Sequence, residues 1–278
     1  MELVRGSLGE LVPKLPPQFP FRVSNKPESG RCLVANREIR PEETVLTDSA
    51  ILLGPASPNV CIVCCSYRQD QLDKCVKCKH VLCKVCRSNG SHNEAECRAL
   101  AKCNFNRDMY NIVLPVRFGL LKYRDAEMFE WLLQYMDHNE ERNKDEEMKE
   151  STDRMTTIVS LVVPGIDKSL AWKIVGILFT NCFEFKLTNI EARALYPLVS
   201  LVNHSCIPNM RHTNLINQVK SEQMEMEGEI VVMKLEAQRT ILPNTELTIR
   251  YNDYMMVRLR LLNSHHFYKK NLKLYLFR

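Results

Sequence analysis

The chain has 278 residues, 45% of them hydrophobic, enough to bury a core, and its 38 basic and 33 acidic residues leave a formal charge of only +5. A balance so mild and well mixed argues against a dedicated nucleic-acid binder, which would concentrate basic residues on one face. Nine of the twelve cysteines lie between Cys61 and Cys103, and Met1 to Leu11 carries Glu2, Arg5 and Glu10 where a secretory signal would be apolar. A secreted disulfide framework is therefore disfavoured, paired cysteines read as thiolate metal ligands with zinc the default ion, and no apolar run is long enough to imply a membrane partner.

Length suggests about two domains, or one large domain carrying an insertion. Pro13, Pro16, Pro17 and Pro20 predict an extended opening that turns at Pro27-Glu-Ser-Gly30. Short strands follow at Cys32-Leu-Val-Ala35, Thr44-Val-Leu-Thr47 and Ile51-Leu-Leu53, with a turn at Gly54-Pro-Ala-Ser-Pro58. After the cysteine module, Met109 to Phe118 is apolar, and Met128, Phe129, Leu132, Leu133 and Met136 repeat at helical spacing as one buried face. Asp137 to Arg154 holds eight acids and four bases and reads as a solvated helix end or linker. Asp167 is placed to cap a helix running through Ser169 to Phe179, and Glu229 to Leu235 and Glu246 to Tyr251 read as strands. Six Lys or Arg and no acid follow Tyr254, a basic tail read as a solvated end. Short strands on both sides of a cysteine insert, with helices between, predict an α+β protein whose second half completes a fold begun in the first.

The module orders its candidate ligands as Cys61, Cys64, Cys75, Cys78, Cys83, Cys86, His92 and Cys97. A CxxC pair brings two sulfurs to one point from a tight turn, and eight donors make two tetrahedral sites. So short a stretch offers almost no apolar core, and metal would supply its folding energy. Cys65 and Cys103 are then spare thiols, Cys65 a small packed residue, and His80 on its Lys-rich stretch reads as a solvated histidine.

A RING finger, and with it a ubiquitin-ligase reading, is disfavoured because the histidine here is seventh and a lone cysteine closes the set. The order resembles a MYND finger, which implies interleaving: Cys61, Cys64, Cys83 and Cys86 on one zinc, and Cys75, Cys78, His92 and Cys97 on the other. The departures are two residues between Cys83 and Cys86 where three are usual, and four between His92 and Cys97.

Outside the finger, Gly30-Arg-Cys-Leu-Val-Ala35, Tyr196-Pro-Leu-Val-Ser-Leu-Val-Asn-His-Ser-Cys-Ile-Pro-Asn209 and Glu246-Leu-Thr-Ile-Arg-Tyr-Asn-Asp253 resemble a SET methyltransferase domain. A SET domain split by a MYND finger is the hallmark of the SMYD family, which the chain resembles from about residue 20 to 267, with an insect-type likeness that is truncated after the SET core. The resemblance implies a β-rich SET fold split by a two-zinc MYND finger with a helical insert. Its divisions are 1–60 for the first part of the SET domain, 61–97 for the finger, 98–155 for the helical insert and charged linker, 156–255 for the second part, and 256–278 for the basic tail with an incomplete post-SET region.

The family is one of protein-lysine N-methyltransferases using S-adenosylmethionine, a ligand whose sulfonium, carboxylate and adenine call for main-chain groups in a tight turn, a side-chain amide and a polar loop. Carried over residue by residue, Ser29, Gly30, Arg31, Asn181, Asn203, His204 and Phe267 would contact the cofactor, and Tyr251 would be the catalytic tyrosine beside it. Taken alone Tyr251 reads first as an ordinary strand aromatic, a reading that the paired Asn203-His-Ser-Cys206 segment reverses, and His204 reads also as a satisfied core histidine. Active relatives add post-SET cysteines that join the equivalent of Cys206 on a third zinc; no cysteine follows Cys206 here, which is expected to remain a lone buried thiol, and Cys32 stands where a second glycine is usual. Two functions stay open. One is a methyltransferase acting on histone or other protein lysines, a transcriptional and chromatin regulator of nucleus and cytoplasm. The other is a non-catalytic adaptor or corepressor whose finger captures proline-rich peptides.

Overall fold

The computed structural model describes residues 2–5, 11–27, 30–66, 72–88, 90–103, 111–187, 190–220 and 227–251. Strands β1 (Leu3–Arg5) and β2 (Leu11–Pro13) form a short antiparallel pair. β3 (Phe21–Lys26) and β4 (Gly30–Ala35) make a hairpin that runs from Phe21 opposite Ala35 to Lys26 opposite Gly30. Gly30 has φ of 69°, a backbone that a side chain would strain, and this turns the chain into β4. β5 (Thr44–Ser49) and β6 (Leu52–Pro55) follow; Gly54 and Pro55 continue the strand, so the turn expected at Gly54 starts later.

The finger holds β7 (Leu72–Lys74) paired with β8 (Val81–Cys83), then α1 (Lys84–Ser88) and α2 (Glu94–Ala101), with the Asn93 side chain capping α2. Helices α3 (Val113–Arg124), α4 (Ala126–Leu132), α5 (Asn139–Arg142), α6 (Glu146–Val162) and α7 (Lys168–Asn181) form the helical layer. Asp167 Oδ1 accepts from the Leu170 amide at 2.8 Å, the cap expected from the sequence.

The remaining strands are β9 (Phe183–Leu187), β10 (Ile190–Leu195), β11 (Asn203–His204), β12 (Met210–Lys220), β13 (Glu227–Ala237) and β14 (Thr248–Ile249), with a 3-10 turn at Val199–Leu201. They close sheets begun before the finger. One sheet has the order β6-β10-β9 and another β12-β13-β5, so β5 and β6 find their partners in the second half of the chain. β11 pairs parallel with β14.

Three expectations need correction. Gln134 and Tyr135 bond back to Trp131 and Leu132, tightening and ending the helix at its last turn, so Met136 leaves the buried face and is 61% exposed. The charged segment 137–154 is not merely solvated. Asn139 and Arg142 are fully buried, and Arg142 Nη2 donates to the Gly176 carbonyl at 3.1 Å and to Thr180 at 3.0 Å, docking α5 on α7. The strand expected over Glu246 to Tyr251 shrinks to β14, because its partner β11 is two residues long.

Among the described residues, the finger shares its core with the rest of the chain. Cys61, Ile62, Cys78, Leu82, Cys83, Cys86 and Cys97 belong to the same buried cluster as Leu114, Phe118, Trp131 and Leu235. Among the described residues, no helix is long and apolar enough to cross a membrane.

Candidate functional site

Two groups of four donors converge in the finger: Cys61, Cys64, Cys83 and Cys86 in one, and Cys75, Cys78, His92 and Cys97 in the other, each with its ligand atoms within 4.8 Å of one another. Cys64 and Cys83 sulfurs are 3.8 Å apart, as are those of Cys75 and Cys97, and Cys78 Sγ lies 3.4 Å from His92 Nε2. A tetrahedral zinc with bonds of about 2.3 Å to sulfur requires S···S edges of about 3.8 Å, so the donor set fits that ion. Charge argues the same way. In the first group, hydrogen bonds from Cys64 and Cys86 pull Cys61 far down, and their own thiols are pushed far up. Burial pushes Cys78 up to about 12 in the second. The crowded sulfurs thus hold protons when bare, and a cation that takes them as thiolates, four in the first group and three in the second, would release those protons.

His80 is not solvated but fully buried, its Nδ1 3.2 Å from the Cys78 carbonyl, and burial pulls its imidazole down to about 4. The Lys-rich stretch around it had masked an inward-facing ring. Cys65 is packed as expected, at φ of 59° beside Val60, Ile190 and Ala192. The finger is tied to the core by Arg117 of α3, which sends two 2.8 Å hydrogen bonds to the Glu96 carboxylate, one of 2.7 Å to the Ile62 carbonyl, and another to the Leu53 carbonyl.

The second constellation gathers where β11 meets β14. Tyr251 donates its hydroxyl to the Val202 carbonyl at 2.9 Å and its amide to His204 Nδ1 at 3.1 Å. An amide can only donate, so Nδ1 is an acceptor and the neutral ring carries its proton on Nε2, 3.5 Å from Cys206 Sγ. Burial, reinforced by Arg250, holds His204 below its ordinary pKa, in keeping with a neutral ring. Burial also pushes the Tyr251 phenol well above its usual value, so it stays protonated. Its ring meets Phe183 edge-on at 6.2 Å and His204 at 5.3 Å. Asn203 Nδ2 donates to Glu246 at 2.7 Å, and Glu246 pairs with Lys26 at 2.7 Å, opposite Gly30 in the first hairpin.

Asn203, Glu246 and Lys26, paired opposite Gly30, make one chain of contacts and His204, Tyr251 and Val202 another; the two meet at the adjacent residues Asn203 and His204 of β11, and Ser200 Oγ donates to the Asn181 carbonyl at 3.1 Å. Asn181 Nδ2 is spent on the Met136 and Ile177 carbonyls, and the Arg31 guanidinium lies 4.8 Å from the Trp131 ring and 4.9 Å from that of Tyr135 while donating to the Gln134 carbonyl. Among the described residues outside its chain neighbours, nothing stands within 4 Å of where a Gly30 Cβ would be. Cys206, expected to be buried, is exposed, since its loop is held from outside by Arg250 and Arg239 on the Cys206 and Ile207 carbonyls. Ser29 and Phe267 lie outside the described residues.

Sequence reasoning missed Asp48, Asn209, Glu96 and Arg117 as organising groups. Asn209 is the most local of them: its amide bonds the Glu246 carbonyl at 2.7 Å and the Thr248 amide at 2.8 Å, fixing β14 beside β11. The only signal for Asp48 was its place two residues after Leu46 in a β-prone run, on the strand face that Leu46 buries.

The SET domain family profile matches residues 30–252. The chain is 27% identical to SET domain-containing protein SmydA-8, isoform B, of Drosophila melanogaster over 76% of its length and 49% of the relative's. It is also 27% identical to Histone-lysine N-methyltransferase ASHR1 of Arabidopsis thaliana, over 67% of this chain and 43% of that one. The chain thus spans about half the length of the curated relatives it matches. Among solved structures, the SET domain of LSMT bound to lysine and AdoHcy is similar with 12% identity and a TM-score of 0.44, covering 86% of this chain and 50% of that chain. With a finger of two four-donor groups set between its halves, as its resemblance to the SMYD proteins implies, the chain belongs to the SET domain family.

Proposed function

We propose that the protein is a protein-lysine N-methyltransferase that uses S-adenosylmethionine and holds two structural zinc ions in its finger. The observation that carries this reading is the Tyr251 cradle, a neutral phenol fixed by Val202 and His204 in a chain of the SET family. A relative named as a histone-lysine N-methyltransferase supports it. The open main chain at Gly30 and the polar network of Asn203 and Glu246 fit a ligand with a carboxylate and an adenine.

When bound, S-adenosylmethionine supplies a methyl electrophile, which a neutral lysine nitrogen takes as the C–S bond breaks. The chain's own groups align and desolvate that nitrogen. Tyr251 spends its O–H on Val202, so in this reading its oxygen lone pairs accept an N–H from the amine and aim the nitrogen. A phenolate there would instead hold the lysine as an ammonium; burial prevents it. His204 is not a base in this reading, because Nδ1 is taken by the Tyr251 amide and the Nε2 proton faces Cys206.

Calorimetry with S-adenosylmethionine on the zinc-loaded protein, together with tritiated methyl transfer to core histones and cell-extract proteins, tests the reading. Binding and transfer are expected. Tyr251→Phe should keep cofactor affinity within about twofold and lose transfer by on the order of 100-fold. No binding heat and no transfer to any protein overturns the proposal.

The zinc-loaded finger is proposed to recruit proline-rich peptides, and the whole protein to regulate transcription from nucleus and cytoplasm. Val76 and Val85, 82% and 55% exposed, favour such docking and also a second reading, a non-catalytic adaptor or corepressor. A proline-rich peptide pull-down that chelation or Cys75→Ser abolishes supports the docking; the absence of cofactor binding alongside it selects the adaptor.

A further inference from the structure

Asp48 lies on β5, before the finger, and is 8% exposed. Its Oδ2 accepts from the Leu198 amide at 2.7 Å and from the Val199 amide at 2.9 Å, 150 and 151 residues further along the chain. These amides open the 3-10 turn Val199–Leu201, where they have no partner within the turn. The turn is stiff: Leu201 bonds Leu198 at 3.0 Å, Val202 bonds Val199 at 2.9 Å, and Leu198, Val199, Leu201 and Val202 are all buried. Val202, its next residue, supplies the carbonyl that receives the Tyr251 hydroxyl, and β4 packs against the same turn. Ser200, inside the turn, reaches Asn181.

An acceptor at one end of a rigid, largely buried five-residue unit, Leu198 to Val202, therefore sets the height of the carbonyl at its other end. We propose that Asp48 is a positioning residue for methyl transfer, holding the Val199–Leu201 turn so that Val202 presents the Tyr251 hydroxyl to the substrate amine. The inference rests on the methyltransferase reading for its kinetic consequence and on geometry alone for its structural one. What the two amides need is an acceptor at a fixed distance, not a charge. Asparagine supplies that acceptor in the same place, alanine removes it, and glutamate displaces it by one methylene.

The test uses the full zinc-loaded chain with tyrosine labelled at the ring carbon bearing oxygen, the Tyr251 resonance being assigned with Tyr251→Phe. Asp48→Ala and Asp48→Glu are expected to shift that resonance and lower kcat on core histones by on the order of 10- to 100-fold, with the S-adenosylmethionine dissociation constant within about twofold, and Asp48→Asn to restore both. Should Asp48→Ala not fold, Asp48→Glu carries the comparison. An unshifted Tyr251 resonance in a folded Ala or Glu variant overturns the assignment, as does an Asn variant as impaired as they are. If the wild-type protein transfers no methyl, the methyltransferase reading falls, and the resonance still decides where Asp48 sets the tyrosine.

Discussion

Burial raises the Asp48 carboxyl from an ordinary 3.8 to about 6, against the opposing pull of the Leu198 and Val199 amides. The sign of its effect on stability follows. Between those two values the folded chain binds a proton that the unfolded chain has released, so stability falls as pH rises through the window and stays at the lower level above it. The titrating neighbours whose values its charge affects are Tyr135 and Tyr196, both held neutral by burial. From pH 5 to 7.5 about one unit of the window remains, worth about 1.4 kcal/mol. Denaturant unfolding of wild type and of Asp48→Asn at both pH values isolates it, because the losses shared by the zinc thiols cancel in the difference. Wild type should lose about 1.4 kcal/mol relative to the variant on going to pH 7.5; an unchanged difference would show that Asp48 titrates as an ordinary surface carboxylate. Neither the burial nor the pair of amides was legible from Asp48 itself, because both partners are 150 or more residues away. Tyr251 and His204, by contrast, sit in short motifs whose order singled them out as candidates.

At the scale of elements, the docking of α5 against α7 turns on Gly176. A Cβ there would stand 2.3 Å from Asn139 Oδ1 and 2.5 Å from Nδ2, and Asn139 is fully buried, donating to the Trp172 carbonyl at 3.0 Å. Helix propensity favours Gly176→Ala by about 1 kcal/mol in an exposed helix. Displacing a buried, bonded amide opposes it with a desolvation cost of about 1–3 kcal/mol, plus the loss of packing between α5 and α7. The expected outcome is net destabilisation of about 1–3 kcal/mol by denaturant titration. Asn139→Ala in the same chain should make the alanine at 176 nearly neutral, a coupling that a double-mutant cycle reads directly. The same helices show what local pattern can and cannot deliver. The Asp167 cap is a local chemical signal and was legible; Arg142 was read with its charged neighbours because periodicity does not report which charge finds carbonyls on another helix. The end of α4 likewise depended on i to i+3 bonds after Trp131, not on the apolar stripe that runs past it.

For the whole molecule, the cysteine count announced a finger and the flanking motifs a split SET fold, but not how one is fastened to the other. Pairing of β5 with β13 and of β6 with β10 closes the fold around the insert. Arg117 does the fastening: its guanidinium reaches the carboxylate next to Cys97, the carbonyl of Ile62 inside the first CxxC, and the Leu53 carbonyl of β6. Arg117 and Glu96 side chains are 14% and 10% exposed, and the carboxylate keeps the guanidinium charged despite its burial. Arg117→Met leaves Glu96 as a buried, unpaired charge beside the thiolates, a change expected to destabilise by about 3–5 kcal/mol. Because the same side chain braces both four-donor groups, the zinc-loaded variant should also yield zinc to a chromogenic chelator faster than wild type at equal temperature. Glu96→Leu combined with Arg117→Met removes both charges and should recover a large part of the stability, while Glu96→Leu alone strands the guanidinium and should not. If Arg117→Met melts earlier yet releases zinc at the wild-type rate, the link stabilises the core without bracing the finger. Faster release recovered by the double variant shows that finger and SET core fold as one cooperative unit.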